Sequence, residues 1–398
     1  MFGFLACLAA CTGLMAFPAG EEIPIQCRPG ERVILEVAAM TEAGKPRTLR
    51  MILDTGADLC VVDAASAKGI VNGMFKQVEA KGFAGRSRPT LKRTLIGLSL
   101  GKVSQSSVPV LVMDLGERNK WLDEPVDGLL GMSFLGGRRF LVDPARARFV
   151  WEGEVSSSRS FPLKSRGRFL YVPVRVAGRE VEALMDTGAS GTLYTSSTPR
   201  GLTLDVDCEM GSGIDGFVRL GRTRADLELF GEHFRRRPIW IGGSSIAILG
   251  STFLFAGPTA FDLEKHQIHL SVDASGRLLR APSMPTEVSF PICWNRKGRE
   301  PFLEVAPMPD CHRWYRAGFR AGDRLLAVGP TTERELSLAK INALLLDGQV
   351  LAWSLRRKDR ILELKNPSEN RRLERLEEEE LSPPSPPVTG ETTTVQSH

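Results

Sequence analysis

The chain has 398 residues, of which 42% are hydrophobic and 25% are charged, as in an ordinary globular protein long enough for two or three domains. The formal net charge of +5 is small for this length and no dense basic block occurs, so nucleic-acid binding is not expected. No Cys-x-x-Cys pair occurs, which excludes the common zinc and thiol-redox patterns, and no segment after the N-terminus is long and apolar enough for a membrane-spanning helix.

Residues 1–20 carry no charged side chain and combine an apolar run with small residues, which is typical of an export signal. The segment Leu8-Ala9-Ala10-Cys11 also resembles a bacterial lipobox, in which Cys11 would be lipidated after cleavage. Plain export is the preferred interpretation because the apolar run before Cys11 is short, and a buried N-terminal helix is the alternative. We expect a periplasmic, cell-envelope or extracellular protein, with a lipid anchor at Cys11 as the second interpretation.

An internal repeat organises the next part of the chain, with one copy at residues 32–152 and the other at residues 166–272. Each copy begins with an apolar strand, a polar turn and a second strand that runs directly into Asp-Thr-Gly. The two motifs are Asp54-Thr55-Gly56 and Asp186-Thr187-Gly188. Short strands with frequent turns predict that both copies are all-β lobes.

Each copy also ends alike, with two apolar residues and a glycine before a short helical turn and a final strand. These elements are Leu129-Leu130-Gly131 and Ile248-Leu249-Gly250. Between the two landmarks each copy has a glycine-bearing hairpin that is a candidate flap over a site, with plain surface hairpins as the alternative. The flap residues in question are Gly82, Phe83 and Gly85 in the first copy, and Gly211 and Gly213 in the second.

Two carboxyls in matched settings predict one shared site. A water held between them can be deprotonated by one carboxylate while the other carboxyl donates a proton to a carbonyl oxygen. Two carboxyls about 3 Å apart share a single proton, because like charges at that distance do not both form easily. Gly56 and Gly188 allow the backbones to turn sharply and approach closely. Thr55 and Thr187 can hydrogen-bond across a pseudo-symmetry axis.

The two repeats resemble aspartic peptidases of the pepsin and retropepsin type, in which all-β lobes each donate one Asp. The resemblance implies that Asp54 and Asp186 are the catalytic pair. It also implies that the two apolar-apolar-Gly elements pack behind the active-site loops, through Leu130 with Gly131 and Leu249 with Gly250. One chain forming one site is the preferred interpretation, and a symmetric homodimer is the alternative.

Details favour the retropepsin side of this resemblance. Pepsin-like enzymes usually have Ser or Thr after Asp-Thr-Gly, whereas Ala57 and Ala189 stand there in this chain. Losing that hydroxyl donor should leave the carboxyls less acidic, which predicts a mildly acidic optimum for activity. A pepsin-like flap also carries a Tyr, and the three tyrosines of this chain lie outside the candidate hairpins.

Residues 287–366 have a different character. The segment 317–326, Ala-Gly-Phe-Arg-Ala-Gly-Asp-Arg-Leu-Leu, resembles the signature of PDZ domains, especially bacterial ones, and implies a small α+β domain that binds C-terminal peptides. The expected carboxylate-binding loop departs from the family pattern because Pro301 removes a backbone donor, so a purely structural role is an equal alternative. Residues 367–398 are rich first in Arg and Glu and then in Pro, Ser and Thr, which predicts a disordered tail.

The sequence therefore predicts a mostly β protein: two tandem retropepsin-like lobes that form a pseudo-symmetric aspartic protease, followed by a small PDZ-like domain. We expect an aspartic-type endopeptidase that acts on peptides or proteins without a cofactor or metal ion. The alternative is a non-catalytic scaffold that uses the lobes and the PDZ-like domain to hold peptides. Two intact Asp-Thr-Gly motifs favour the enzyme, because only the chemistry needs both carboxyls.

Overall fold

The computed structural model of the protein describes residues 21–27, 31–83, 85–213, 216–279, 291–346 and 351–366. The predicted signal segment, Cys11 and the predicted tail lie outside the described residues. The described residues form two compact units: an N-terminal unit within residues 21–119 and 124–279, and a C-terminal unit within residues 120–123 and 291–366. Within the described residues, no helix is both long and apolar enough to cross a membrane.

The first lobe of the N-terminal unit is built almost entirely from strands. They are β1 Glu22–Gln26, β2 Ile34–Met40, β3 Pro46–Leu53, β4 Cys60–Asp63, β5 Val71–Lys81, β6 Ser87–Leu100, β7 Val103–Met113, β8 Gly128–Leu130, β9 Arg139–Asp143 and β10 Arg148–Trp151, with short helices α1 Gly116–Asn119 and α2 Met132–Leu135. Strand β1 pairs with both β10 and β2, so this lobe includes residues before the predicted start at residue 32. Its alternating burial places Ile23 and Ile25 in the core.

The second lobe is also built almost entirely from strands and repeats the order around Asp-Thr-Gly and Leu-Gly, but its described residues include no helix that corresponds to α1. Its elements are β11 Ser158–Pro162, β12 Lys164–Arg166, β13 Phe169–Val176, β14 Arg179–Met185, β15 Leu193–Thr195, β16 Val206–Gly213, β17 Gly216–Leu229, β18 Glu232–Ile241, β19 Ala247–Leu249, α3 Ser251–Leu254, β20 Thr259–Asp262 and β21 Gln267–Ser271. Strand β11 lies before the predicted start at residue 166 and pairs along its whole length with β21. The predicted strand-turn-strand lead into each Asp-Thr-Gly is present as β2–β3 in the first lobe and β13–β14 in the second.

The two lobes share one sheet. Strand β9 of the first lobe pairs antiparallel with β20 of the second, and a 13-stranded sheet runs through this junction. Phe140 and Phe261 are opposite each other in the register, and their rings stack with centroids 5.1 Å apart. Both side chains are fully buried, so the junction is part of the hydrophobic core. The strands that lead into the two Asp-Thr-Gly loops are therefore part of one connected core.

The pairing around each Asp-Thr-Gly is the same in the two lobes. In the first, β3 runs parallel to β8, and β8 pairs antiparallel with β4. In the second, β14 runs parallel to β19, and β19 pairs antiparallel with β15. Leu53 is level with Leu130 and Met185 is level with Leu249. Each catalytic aspartate candidate thus leaves its strand beside the matching Leu-Gly element.

The C-terminal unit has its own sheet and its own core. Its elements are β22 Ile292–Asn295, β23 Phe302–Val305, α4 Arg313–Arg316, β24 Arg324–Val328, β25 Thr331–Thr332, a 3₁₀ turn at Glu333–Glu335, α5 Leu338–Leu346, β26 Ala352–Arg357 and β27 Arg360–Lys365. The strand order is β22-β23-β24-β26-β27, with β25 beside β24. Helix α5 has the predicted bounds. Trp314, Phe319 and Trp353 form the centre of the core, with edge-to-face ring contacts among all three.

Candidate active site

Backbone bonds seat both Asp-Thr-Gly loops on their Leu-Gly elements in the same way. The Asp54 N–H donates to the Leu130 carbonyl at 3.0 Å, and the Asp186 N–H donates to the Leu249 carbonyl at 3.0 Å. One residue beyond each glycine a further N–H returns to the loop, from Met132 to Ala57 O and from Ser251 to Ala189 O, both at 2.8 Å. Each loop is therefore held at both ends by the element behind it.

Gly131 and Gly250 are glycines because the loop in front of each leaves no room for a side chain. A Cβ at Gly131 would lie 2.6 Å from the carbonyl oxygen of Leu59. A Cβ at Gly250 would lie 2.4 Å from the carbonyl oxygen of Gly191. Real Cβ atoms do not approach backbone oxygens so closely, so the close packing behind each loop requires glycine.

The two threonines lock the lobes together through reciprocal bonds. The Thr55 N–H donates to Thr187 Oγ1 at 3.0 Å, and the Thr187 N–H donates to Thr55 Oγ1 at 3.2 Å. Each hydroxyl then donates across the axis to a backbone carbonyl, from Thr55 to Met185 and from Thr187 to Leu53, both at 2.8 Å. Both threonines are buried, so every one of these bonds is shielded from water.

This arrangement brings Asp54 and Asp186 together, and their carboxyls share a hydrogen bond. Each motif's glycine lies against the opposite aspartate. A Cβ at Gly56 would be 2.4 Å from Asp186 Cγ, and a Cβ at Gly188 would be 2.5 Å from Asp54 Cγ. The pair is formed within one chain, which is the arrangement preferred from the sequence over the homodimer.

The pKa values of the two carboxyls are both raised. Burial is the largest cause for each, and for Asp54 the negative charge of Asp186 raises the pKa further. The hydrogen bonds are unequal. Asp186 Oδ1 accepts the N–H of Gly188 at 2.8 Å and that of Ala189 at 3.0 Å, whereas Asp54 Oδ1 accepts only the Gly56 N–H, at 3.0 Å, among the described residues.

The unequal numbers of N–H donors make the two carboxyls differ in how readily they ionise. Hydrogen bonds to the charged form favour ionisation, so Asp186 is the better place for the negative charge. Asp54 is buried, whereas Asp186 keeps some contact with solvent. In the singly protonated pair, the proton therefore belongs mainly on Asp54.

Sequence reasoning missed a charged residue near this pair. Arg118, in helix α1, is only 8% exposed, and its Nη2 donates to the Gly188 carbonyl at 3.3 Å. Its positive charge lowers the pKa values of both Asp54 and Asp186. One sequence signal could have drawn attention to it, because the connection at residues 114–127 is much longer than its counterpart at residues 242–246.

The first flap candidate reaches the second lobe. The hairpin β5–β6 turns at residues 82–86, and Phe83 packs edge-to-face on Tyr194 with ring centroids 5.0 Å apart. Phe83 also belongs to the apolar cluster that contains Ala189, directly after the second motif. Gly82 and Gly85 flank Phe83 in this turn, and Phe83 is half-buried.

The second flap candidate is part of the β16–β17 hairpin. Gly211 and Gly213 lie in strand β16, and Gly213 is paired with Gly216 of β17. The turn itself, at residues 214 and 215, lies outside the described residues. Gly211 leaves room for the first flap, since a Cβ there would be 3.1 Å from Phe83 Cε1.

The sequence matches a protein family described as "Aspartyl protease" over residues 38–134 and 172–253. The first segment contains Asp54 and Gly131, and the second contains Asp186 and Gly250. Both lobes are similar to aspartyl proteases. Among the curated proteins compared with the chain, none matches it. The family similarity supports a protease hydrolase, and the C-terminal unit lies outside both matched segments.

Proposed function

We propose that the protein is a single-chain, retropepsin-like aspartic endopeptidase that hydrolyses peptide bonds in peptides or proteins. The observation that carries this proposal is the hydrogen-bonded pair of Asp54 and Asp186, held between two lobes by the reciprocal threonine bonds. A scaffold that only held peptides would have no use for a pair of carboxyls whose pKa values are both raised, mainly by burial.

The inequality of the two carboxyls assigns their roles. The Asp186 carboxylate takes a proton from a bound water as the water oxygen attacks the scissile carbonyl carbon. Asp54 gives its proton to the carbonyl oxygen, which yields a tetrahedral diol. In the second step, Asp186 gives its proton to the nitrogen as the carbon–nitrogen bond breaks, Asp54 takes a proton from a hydroxyl of the diol, and the carboxyl and amine products leave. One proton is shared by the pair at the start and again at the end.

The same carboxyls support a mildly acidic optimum. Activity needs one ionised and one protonated carboxyl, and burial raises the pKa values of both. Ala57 and Ala189 supply no hydroxyl to counteract this, although the Ala189 N–H does bond Asp186. A pH–rate profile that peaked below about pH 3 would contradict this part of the proposal.

The decisive experiment compares Asp54→Asn and Asp186→Asn with the wild type on a peptide library between pH 4 and pH 7. We expect each substitution to reduce cleavage by at least about 1,000-fold, because a general acid or base is lost from a concerted pair. Asp58→Asn is the matched control, since that exposed side chain pairs with Arg168 rather than with the catalytic pair. A statine-type transition-state mimic should inhibit the wild type.

Two results would point instead to the scaffold. One is a wild type that cleaves no library peptide at any of these pH values, and the other is equal cleavage by the wild type and Asp54→Asn. Binding of library peptides without turnover would then be the activity to measure.

For the C-terminal unit we propose a PDZ-like domain that binds C-terminal peptides of partner proteins. Its strand and helix order and the turn at residues 317–323 support this assignment. There, Gly318 and Gly322 both have positive φ angles, and the buried Asp323 carboxylate accepts the Arg320 N–H at 2.8 Å. Full-length protein would be tested against peptides with free and with amidated C-termini, because only the free carboxylate should bind a PDZ-like loop.

A structural role is the second candidate for this unit, because the unit binds residues 120–123, which come from the connection between β7 and β8. The Trp294 N–H of edge strand β22 donates to the Lys120 carbonyl at 2.8 Å. The Asp123 carboxylate accepts the N–H groups of Leu338 and Ala339, at 2.7 and 2.9 Å, at the start of helix α5. In this alternative no peptide binds, and Asp123→Ala lowers the melting temperature of the full chain.

We further propose that the protein is exported. Plain cleavage of a signal segment is the preferred version, and lipidation at Cys11 is the alternative. N-terminal sequencing of the mature protein, expressed in a bacterium, would locate the cleavage site. Labelling with a palmitate analogue, with Cys11→Ser as the control, would separate lipidation from plain signal cleavage. An uncleaved N-terminus would contradict both versions.

A further inference from the structure

A buried guanidinium stands beside the catalytic pair without belonging to either Asp-Thr-Gly motif. Arg118 lies in the short helix α1, inside the long connection between β7 and β8. Long basic side chains are seldom buried unless a partner needs the charge. Its burial near two carboxyls therefore points to a role at the site.

Arg118 is attached to the opposite lobe. Its Nη2 donates to the carbonyl oxygen of Gly188, the glycine whose backbone lies against Asp54. The Nε atom is buried and has no hydrogen-bond partner among the described residues. The nearby carboxyls of Asp54 and Asp186 favour the charged form of Arg118.

A few charged or titratable groups interact with Arg118 or with the aspartate pair. Burial, and then the nearby Arg32, lower the pKa of Arg118 to about 10, although Asp54 and Asp186 both act to raise it. The buried thiol of Cys60 also lies within the field of Asp54, and its pKa is raised mainly by burial. Arg118 remains charged throughout the pH range in which an aspartate pair works.

We propose that Arg118 is a positioning residue for the catalytic pair: it fixes the second Asp-Thr-Gly loop through Gly188 and supplies a permanent positive charge that keeps one of the two carboxyls ionised. This inference rests on the proposed endopeptidase function. It explains how two buried carboxyls retain one negative charge, since burial alone would favour the doubly protonated, inactive pair.

The second lobe has no counterpart of Arg118 in its corresponding connection and stabilises the negative charge in another way. The corresponding connection, residues 242–246, is short and contains no charged residue. Asp186 instead receives the extra N–H of Ala189. The negative charge is therefore stabilised from the first lobe by a guanidinium and from the second lobe by backbone dipoles.

The test is the pH dependence of kcat/KM for Arg118→Met and Arg118→Lys. Met has a similar length and no charge, so both limbs of the profile should move to higher pH, the acidic limb by about one unit, a tenfold loss on that side. Lys keeps the charge but not the planar fork, so its acidic limb should stay within a few tenths of a unit of the wild type. A merely structural role would lower activity equally at all pH values.

Arg138→Met is the control, because Arg138 also bonds backbone carbonyls of the first lobe, including Gly136 O at 3.3 Å, but does not contribute to the pKa of either aspartate. It should leave the profile in place. Superimposable profiles for Arg118→Met and the wild type would overturn the inference.

A direct titration separates this inference from the proposed function. Carbon-13 NMR of Asp-labelled protein would follow the two carboxyls, identified by their loss in Asp54→Asn and Asp186→Asn. Upward movement of their pKa values in Arg118→Met supports the role of Arg118 even if no peptide is cleaved. Unchanged values refute it, whatever the activity, and Arg118→Lys provides the same comparison if Arg118→Met does not fold.

Discussion

The two lobes are nearly identical where they meet and different a few residues away. The reciprocal bonds of Thr55 and Thr187 match to within 0.2 Å, and both loops rest on a Leu-Gly element in the same way. Behind this symmetric centre, the first lobe has the long connection 114–127 and the second has the short connection 242–246. Positioning two carboxyls thus requires symmetry, whereas giving them different protonation states requires its loss.

The strands that face the centre show the same contrast. Val61 is paired with Leu129 in the first lobe, and Tyr194 is paired with Ile248 at the corresponding position of the second. Tyr194 forms an aromatic wall with Trp240, and Phe83 of the first flap packs on it. The surroundings of the two flap candidates therefore differ, because at this register position the second lobe has an aromatic residue and the first has a valine.

The strictest test of the symmetric centre is to substitute its two glycines. Gly56→Ala and Gly188→Ala should each reduce kcat/KM by at least about 100-fold, because the new Cβ would lie against the opposite carboxyl and displace it. The two losses should agree within about threefold, since the two close approaches, 2.4 and 2.5 Å, are equivalent.

The matched controls are Gly44→Ala and Gly178→Ala, in the corresponding turns of the two lobes. Both glycines have positive φ angles, and a Cβ at either position would have no heavy atom within 4 Å beyond its chain neighbours, so stability should fall slightly while activity at 25 °C is retained. A large loss for one motif glycine and none for the other would break the proposed equivalence of the loops.

Much of this centre could be predicted from the sequence. The duplicated Asp-Thr-Gly, each after an apolar strand and each with a later Leu-Gly, was sufficient to place Asp54 beside Asp186. Each lobe contains the same local order of strand, Asp-Thr-Gly and Leu-Gly, so the second copy supports the interpretation of the first. Helix α5 was equally clear, because its apolar run at residues 338–346 has no glycine or proline.

The features that could not be predicted from the sequence depend on contacts between residues far apart in the chain. Arg118 has no motif around it, and its role depends on a bond to Gly188, 70 residues away. Strand β1 fell outside the first lobe, which was predicted to begin at residue 32, because a five-residue strand is defined only by its partners, here β2 and β10.

A smaller effect tests the difference between the surroundings of the two flap candidates. Phe83→Ala removes the edge-to-face contact with Tyr194, worth about 0.5–1.5 kcal/mol, so closure over the substrate should weaken. We expect KM to rise roughly two- to tenfold with a smaller change in kcat, measured on one cleaved peptide. Leu91→Ala, on the exposed stem of the same hairpin, is the control and should leave KM unchanged. An unchanged KM for Phe83→Ala would show that this flap does not act on the substrate.

The smallest effect separates the two aspartates by stability rather than by activity. In the unfolded chain an Asp ionises near pH 4, whereas in the folded protein the pKa of Asp54 is raised by burial and by Asp186. The folded state therefore binds an extra proton between these two pKa values, and its stability falls as pH rises through that window. Asp54→Asn removes this cost and should raise the melting temperature at pH 7 by roughly 2–4 °C, the shift that about 1 kcal/mol produces in a unit of this size.

At pH 4 the same substitution should have little effect, because Asp54 is then protonated in the folded protein and partly protonated in the unfolded chain. Asp186→Asn should gain less at pH 7, since it gives up a carboxylate that accepts the N–H groups of Gly188 and Ala189. Differential scanning calorimetry of both variants at the two pH values makes the comparison. A larger gain from Asp186→Asn than from Asp54→Asn would reverse the assignment of acid and base, because ionisation would then be less favourable at Asp186, which would hold the shared proton.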